Sequence, residues 1–351
     1  MAMTRPLPNL RRRKRKYRRA VEANVGIRNR YAREITNLIN NSNELLIDFV
    51  KCELELSEYV GETEVTIAQN ANPLSFLKGL AKKVTKKVGE IAATMQAKIH
   101  SLANWFTGSM TASTTASQVD ACKKGGLSEE YIRSLWTGNT INGQYISPEA
   151  AALVPTIIQA QTSLITKLTS DDLQRIQTAI AESLDKGIPL PDLERVLESI
   201  KGFNPRRAQL VAMDQANKIN ISVLRANDIS LGLTQAVWIH VPGQYTSRES
   251  HIMLDGQGFD LRTGIFDPEV QRNIQCAELP YCRCVYRVGL PEFLPDRVNA
   301  GRTVQLDLLT VAQKRKDLTV PKSRSRGKAT ARSKDTSAQY SLFEATPPRE
   351  K

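Results

Sequence analysis

The chain has 351 residues and a mass of 39.1 kDa, enough for roughly two or three domains with packed cores. Its formal net charge of +13 is uneven. Residues 1–20 hold nine basic and no acidic side chains, residues 314–351 hold eleven basic and four acidic ones, and the body between them is slightly acidic at −3. This distribution is not typical of a uniformly basic nucleic-acid-binding domain. It indicates a folded body with solvated arms that bind polyanions.

Several classes of protein are disfavoured by simple patterns. No run of about 18 uncharged apolar residues is present, so no transmembrane helix is predicted, and the N terminus lacks the apolar core of a secretory signal. Neither G-x-G-x-x-G nor G-x-x-x-x-G-K-[ST] occurs, which argues against a packaging motor with a known phosphate-binding loop. Five cysteines are too few for a disulfide scaffold, and their odd number fits a reducing compartment.

Residues 1–23 are predicted to form a disordered basic arm. Eight of the nine residues at 11–19 are cationic, and like charges at this density repel one another and resist burial. Because each neutralised phosphate releases counterions, double-stranded DNA is the predicted partner. The candidate contacts are Arg11, Arg12, Arg13, Lys14, Arg15, Lys16, Arg18 and Arg19. A solubilising or host-addressing tail is the alternative.

A helical region is predicted over residues 24–107. In its second segment, 73–106, apolar residues recur at steps of three and four and so share one helix face, while lysines stand away from that face. We interpret this segment as a bundle helix with a solvated lysine face. A basic amphipathic helix that lies on a membrane is the alternative, and it is not favoured.

Residues 108–126 are small, polar and flanked by glycine, a composition that predicts a linker. A second domain is expected over 127–292. Its longest helix is predicted at about 205–230, because Asn204 and Pro205 supply a cap and a first helical residue. After Gly232, β-branched and aromatic residues predict short strands. The expected fold class is therefore α+β, in which a helical N-terminal region precedes a helix-rich domain that ends in a small antiparallel sheet.

The C-terminal segment is predicted to be a second basic arm. Residues 293–351 are punctuated by proline and then rich in lysine, arginine and serine, which is typical of a largely disordered tail. Its candidate DNA contacts are Lys322, Arg324, Arg326 and Lys328. Disordered cations reach phosphates without contacting base edges, so the predicted binding is independent of DNA sequence.

One hypothesis for the polar residues between 238 and 284 is a zinc site. Its ligands would be His251, Cys276, Cys282 and Cys284, because zinc accepts mixed sulfur and nitrogen ligands and residues 282 and 284 of a strand share a face. The C-x5-C-x-C spacing differs from the usual C-x2-C knuckle. Buried reduced thiols with no cofactor are therefore the favoured interpretation.

A second hypothesis is hydrolytic. It pairs His240 or His251 with Asp255 as base and orienting acid, and it places Arg248 on a phosphate. No nucleophile elbow, H-E-x-x-H motif or carboxylate cluster for two metals accompanies these residues. The sequence therefore favours a protein that is not an enzyme, in which Asp255 and Gly256 form a tight turn and His251 hydrogen-bonds to it.

An ordered pattern also runs through residues 190–290. A helix with a leading Arg-Ala is followed by a glycine, a tryptophan, R-x-x-H-x-x-L-D-G and a final C-R-C. The matching positions are Arg207, Ala208, Gly232, Trp238, Arg248, His251, Leu254, Asp255, Gly256, Phe259, Cys282 and Cys284. This pattern resembles the phage head morphogenesis family, minor capsid proteins similar to the F protein of phage Mu.

The resemblance implies a structural role in the head of a tailed phage. Such proteins are present in few copies near the portal, and some are associated with the DNA or its ejection. The expected partners are the portal protein, other capsid or scaffold proteins and double-stranded viral DNA. The expected location is the virion interior, after assembly in the host cytoplasm. A nuclease or toxin-like enzyme that uses His251, Asp255 and Arg248 is one alternative, and a host-derived nucleic-acid-binding protein is another.

Overall fold

The computed structural model describes residues 20–63, 73–136, 138–185, 190–242 and 247–289. All of the candidate DNA contacts in the two basic arms, and the whole tail from residue 293 onwards, lie outside the described residues. The described residues belong to one compact unit.

Long helices make up most of the described chain. In order they are α1 (Val25–Thr63), α2 (Pro73–Gly125), α3 (Glu129–Leu135), α4 (Pro148–Asp185), α5 (Leu190–Ile200), α6 (Pro205–Ser230) and α7 (Glu249–Met253). The predicted helix at 205–230 is confirmed with its cap, because the Asn204 side chain accepts a hydrogen bond from the backbone N–H of Arg206 at 2.9 Å. Gly232 follows α6 with φ of +76°, a left-handed conformation that suits glycine.

The predicted linker at 108–126 is wrong, because almost all of it continues α2 as far as Gly125. The side chains of Thr114, Thr115 and Gln118 in this segment face α6 and are buried. Thr114 donates a hydrogen bond to Asn220 at 2.9 Å, and the Gln118 amide donates one to Asp228 at 2.7 Å. Paired hydroxyls and amides are tolerated in an interior because their hydrogen bonds are satisfied. We call this set of side chains between α2 and α6 the polar layer.

The predicted boundary between a helical region (24–107) and a second domain (127–292) is also absent from the described part of the chain. Helices α1 and α2 pack along α4 and α6, so both regions contribute to one bundle. The apolar stripe of α2 is buried in that bundle, for example at Leu80, Val84 and Ile91. This packing confirms the bundle interpretation of α2. None of the described helices combines the length and the apolar character needed to cross a membrane.

The strands of the described chain form small antiparallel sheets. Strands β1 (Thr140–Ile141) and β2 (Gln144–Tyr145) make one hairpin, and β5 (Ile265–Asp267) and β6 (Arg272–Ile274) make another. The third sheet has the order β4–β3–β7, with β3 (Gln235–Ile239) between β4 (Gly258–Asp260) and β7 (Val285–Val288). We call it the central sheet. The α+β fold class with antiparallel sheets is confirmed.

Helix α6 packs on the central sheet, as predicted. Ile221 and Leu224 of α6 share one buried cluster with Trp238 of β3 and Tyr286 of β7. The Tyr286 hydroxyl also donates a hydrogen bond to Asp228 of α6 at 2.9 Å. The prediction placed Cys284 within the sheet, whereas it lies one residue before β7.

The described chain begins in a fixed position against α6. Val21 is 6% exposed and joins the cluster beneath the central sheet, and its carbonyl oxygen accepts a hydrogen bond from the Asn220 side chain at 3.0 Å. The predicted basic arm of residues 1–23 therefore extends too far, because a buried apolar side chain and a paired carbonyl make Val21 part of the folded body.

Candidate functional site

Most residues of the family pattern meet around the central sheet. The Trp238 ring lies edge-on to the His251 imidazole, with 5.4 Å between centroids, and 5.9 Å from the Phe259 ring. Cys282 and Cys284 lie beside His251 and are buried in the same cluster. Residues separated by up to 46 positions in sequence are thus brought into one interior.

The short helix α7 turns His251 inward because both of its flanks are held by hydrogen bonds. At its start, two nitrogens of the Arg248 guanidinium donate to the carbonyl of Pro280, each at 3.2 Å. The backbone N–H of Ser250 donates to the Glu269 carboxylate at 2.9 Å. After the helix, Gly256 takes φ of +78° and its N–H donates to the Trp238 carbonyl at 2.9 Å. Only glycine adopts this left-handed conformation without strain.

Two histidines and two cysteines form a compact group, which we call the His/Cys cluster: His240, His251, Cys282 and Cys284. The Nδ1 atom of His251 lies 3.4 Å from Cys282 Sγ and 3.6 Å from Cys284 Sγ. Cys284 Sγ is also 3.6 Å from Nδ1 of His240, at the end of β3. His251, Cys282 and Cys284 are buried, whereas His240 is partly exposed.

The other nitrogen of His251 faces a buried carboxylate. Nε2 lies 3.3 Å from Oδ2 of Asp267, although the angles do not make this contact a hydrogen bond. Asp267 is fully buried and is fixed by two donors, the Ser250 hydroxyl at 3.2 Å and the backbone N–H of Glu269 at 2.8 Å. The imidazole is therefore held between two sulfur atoms and a carboxylate.

The surroundings of the cluster shift the pKa values of its two thiols in opposite directions. The hydrogen bond from Cys284 is the largest influence on the pKa of Cys282 and, together with a smaller one from His251, lowers it in spite of burial. The pKa of Cys284 is raised by the same hydrogen bond to Cys282 and by burial. Burial also lowers the pKa of His240. These surroundings favour ionisation of Cys282 over Cys284, and the thiolate is the ionic form that acts as metal ligand.

The four-residue zinc set predicted from sequence is wrong at one position. Cys276 lies outside the group, and its thiol donates to the Val285 carbonyl at 3.3 Å, while burial raises its pKa well above the usual range. His240 stands near Cys284 instead. The sequence did contain a signal for it, because alternate residues of a strand share a face and His240 follows Trp238 by two.

The hydrolytic constellation is not assembled in the described structure. Asp255 accepts a hydrogen bond from the backbone N–H of His240 at 2.9 Å, so its carboxylate ties the turn to the end of β3. The expected hydrogen bond from His251 to this turn is also wrong, because the imidazole faces the thiols and Asp267. The Arg248 guanidinium donates hydrogen bonds to the carbonyl of Pro280.

Two residues of the pattern lie in the first turn of α6, Arg207 and Ala208. The Arg207 guanidinium stacks over the Phe203 ring at 5.7 Å, and Ala208 is fully buried. These contacts contribute to the packing of the helix bundle.

Comparison with known proteins gives one partial similarity. The chain is 26% identical over 137 residues to an uncharacterized protein of Haemophilus influenzae (strain Rd). The match covers 38% of this chain and 30% of the Haemophilus protein, so it spans less than a third of that protein's length. No family model matches the chain, and no solved structure matches it.

Proposed function

We propose that the protein is a minor head protein of a tailed phage that acts in assembly and does not turn over a substrate. The observation that carries this proposal is the convergence of the family pattern. Its tryptophan, its histidine and the two cysteines of C-R-C are far apart in sequence and meet in one buried interior. A pattern that maintains a fold is expected to be buried and mutually packed in this way, whereas a catalytic pattern must reach a substrate.

The burial of the His/Cys cluster supports a role without turnover. His251 is 3% exposed, Cys282 4% and Cys284 2%. Arg248 and Asp255, which the nuclease hypothesis places on a phosphate and on a catalytic histidine, both make hydrogen bonds to backbone atoms. These contacts favour a structural role for all five residues over the nuclease or toxin-like alternative.

The charge distribution supports two kinds of partner. The slightly acidic body is suited to docking on the portal protein and on other capsid or scaffold proteins, and the cationic arms are suited to packaged double-stranded DNA. This division supports the proposal of a location in the virion interior, after assembly in the host cytoplasm, and of a role in ejection as the DNA leaves past the portal.

Mass spectrometry of purified particles tests the proposal. Particles from a strain that carries the gene are separated into full capsids and other fractions, and the protein is expected in full capsids at a few copies per head. A strain with an internal deletion of the gene is the control for co-purifying host proteins. Absence of the protein from particles of an expressing strain would exclude the head role and favour a host-derived nucleic-acid-binding protein.

DNA binding by the N-terminal arm is expected to depend steeply on salt. Each phosphate that is neutralised contributes about −0.9 to the slope of log affinity against log salt, so engagement of about half of the nine cations gives a slope near −4. Replacing the eight cations at 11–19 by glutamine should flatten the slope and weaken binding to every sequence alike. Fluorescence anisotropy with duplexes of unrelated sequence measures both effects.

The matched control removes cations from the folded body. Lys82 and Lys86 of α2 are exposed, and their replacement by glutamine should leave the salt slope almost unchanged. If the arm variant binds duplex DNA as tightly as the full chain at about 0.15 M salt, the arm is not the DNA contact. A host-addressing role would then explain its arginines better.

A further inference from the structure

We propose that the His/Cys cluster is a structural zinc site, with Sγ of Cys282 and Cys284 and Nδ1 of His251 and His240 as its four ligands. The proposal concerns how the fold is stabilised and does not depend on the head-protein function. Mixed thiolate and imidazole donors select zinc over the hard cations magnesium and calcium, which prefer oxygen.

Three distances within the cluster match those between the ligands of a tetrahedral zinc shell. Zinc binds sulfur at about 2.3 Å and nitrogen at about 2.0 Å, so the ligand atoms of a tetrahedral site lie about 3.3–3.8 Å apart. The Nδ1 atom of His251 is 3.4 Å from Cys282 Sγ and 3.6 Å from Cys284 Sγ, and Nδ1 of His240 is 3.6 Å from Cys284 Sγ. The ligand atoms of His251, Cys282 and Cys284 all lie within 4.8 Å of one another. His240 is outside that set, so its ring must move toward the other ligands when it completes the shell.

The surroundings of His251 support ligation through Nδ1. A neutral imidazole that ligates through Nδ1 carries its proton on Nε2, and metal-bound histidines almost always direct that proton at a carboxylate, a carbonyl or water. Here Nε2 faces the buried carboxylate of Asp267 at 3.3 Å and has no hydrogen-bond partner among the described residues. Asp267 is itself fixed by Ser250 and Glu269. Asp267 is therefore a positioning residue for the ligand.

The position of the cluster explains what an ion would stabilise. The ligands come from the end of β3, from α7 and from the segment just before β7, which are 11 to 44 residues apart in sequence. These segments contain short elements, of five, five and four residues, which need cross-links to hold their arrangement. His240 is the partly exposed member, so the ion enters from its side.

Metal analysis of the full-length protein tests the site. The chain is purified under reducing conditions, and elemental analysis is expected to give one zinc per chain. Cys282→Ser and Cys284→Ser should each reduce the zinc content at least tenfold. Cys276→Ala removes a buried thiol outside the cluster and should retain the full content. Asp267→Asn should weaken zinc affinity about 10–100-fold in competition with a chelator.

A cobalt titration of the unmodified chain avoids variants that fail to fold. After zinc is removed, cobalt(II) should bind with one equivalent and give the thiolate charge-transfer band and intense visible bands of a tetrahedral site. His240→Asn should shift the visible bands while the thiolate band persists. The proposal is overturned if the reduced chain takes up neither zinc nor cobalt, or if Cys276→Ala loses the metal while Cys282→Ser keeps it.

Discussion

Trp238→Ala is expected to lower the free energy of unfolding by about 3–5 kcal/mol, the range for truncation of a buried aromatic side chain. The ring is fully buried at the centre of the central sheet, and it contacts the His251 and Phe259 rings from β3. Its loss opens a cavity where α7, β4 and α6 meet. A protein is stable by only about 5–15 kcal/mol, so this change threatens folding at 37 °C. Chemical denaturation followed by far-UV circular dichroism measures it.

Trp105→Ala is the matched control, because this tryptophan is partly exposed and stacks with the Arg30 guanidinium at 4.4 Å. Its truncation should cost much less than that of Trp238. Trp238→Phe should also cost less than alanine, because the indole Nε1 has no hydrogen-bond partner in the described structure and only volume is lost. Equal losses for Trp238→Ala and Trp105→Ala would contradict the central position assigned to Trp238.

Asp228→Ala should also be destabilising, by a different mechanism. Asp228 is fully buried and accepts hydrogen bonds from the Gln118 amide at 2.7 Å and the Tyr286 hydroxyl at 2.9 Å. Alanine removes this acceptor from both donors, while the Gln118 amide keeps its hydrogen bond to the Leu224 carbonyl at 3.2 Å. The loss of a buried hydrogen-bond partner costs about 1–3 kcal/mol, and this is the expected loss in unfolding free energy. The melting temperature and the denaturant midpoint should both fall.

A double-mutant cycle with Tyr286→Phe distinguishes this mechanism from simple loss of packing. In the native background, removal of the hydroxyl should cost about 0.5–1.5 kcal/mol. In the Asp228→Ala background the hydroxyl has already lost this acceptor, so the same change should cost less. Coupled neighbours typically interact by about 0.5–3 kcal/mol. Additive effects of the two changes would rule out the proposed hydrogen-bond mechanism.

Local signals were sufficient to predict the helix α6 and the change to strands after it. Asn204 and Pro205 favour the start of α6, and Gly232 favours its end. Each of these residues lies within a few positions of the helix end that it predicts. The buried face of α2 could be predicted equally well, because its apolar residues repeat with the helical period. These features depend on propensity and periodicity, which a sequence displays directly.

The polar layer could not be predicted in the same way. Thr114 and Gln118 belong to a segment whose composition is typical of a linker, and their partners Asn220 and Asp228 lie more than 100 residues later. Only the packing of α2 on α6 reveals that these polar groups are paired. A local pattern cannot distinguish a solvated polar segment from one that is buried and satisfied.

Only part of the His/Cys cluster could be predicted, because the rest also depends on contacts between distant segments. His251, Cys282 and Cys284 were selected by residue type and by alternation on a strand, and the structure brings them together. Cys276 lies outside the group, and the position of His240 beside Cys284 could not be predicted because it depends on the register of β3 against β7. That register pairs Ile239 with Val285, and it places His240 beside Cys284.

The burial of Val21 sets the reach of the N-terminal arm. Twenty peptide units separate Val21 from the first residue, and a fully extended chain advances at most about 3.5 Å per residue. Whatever conformation residues 1–19 take, none of their nine positive charges lies farther than about 70 Å from that anchor. The anchor is itself fixed to α6 through Asn220. The nine charges therefore stay within one fixed radius of the folded body, wherever that body is held.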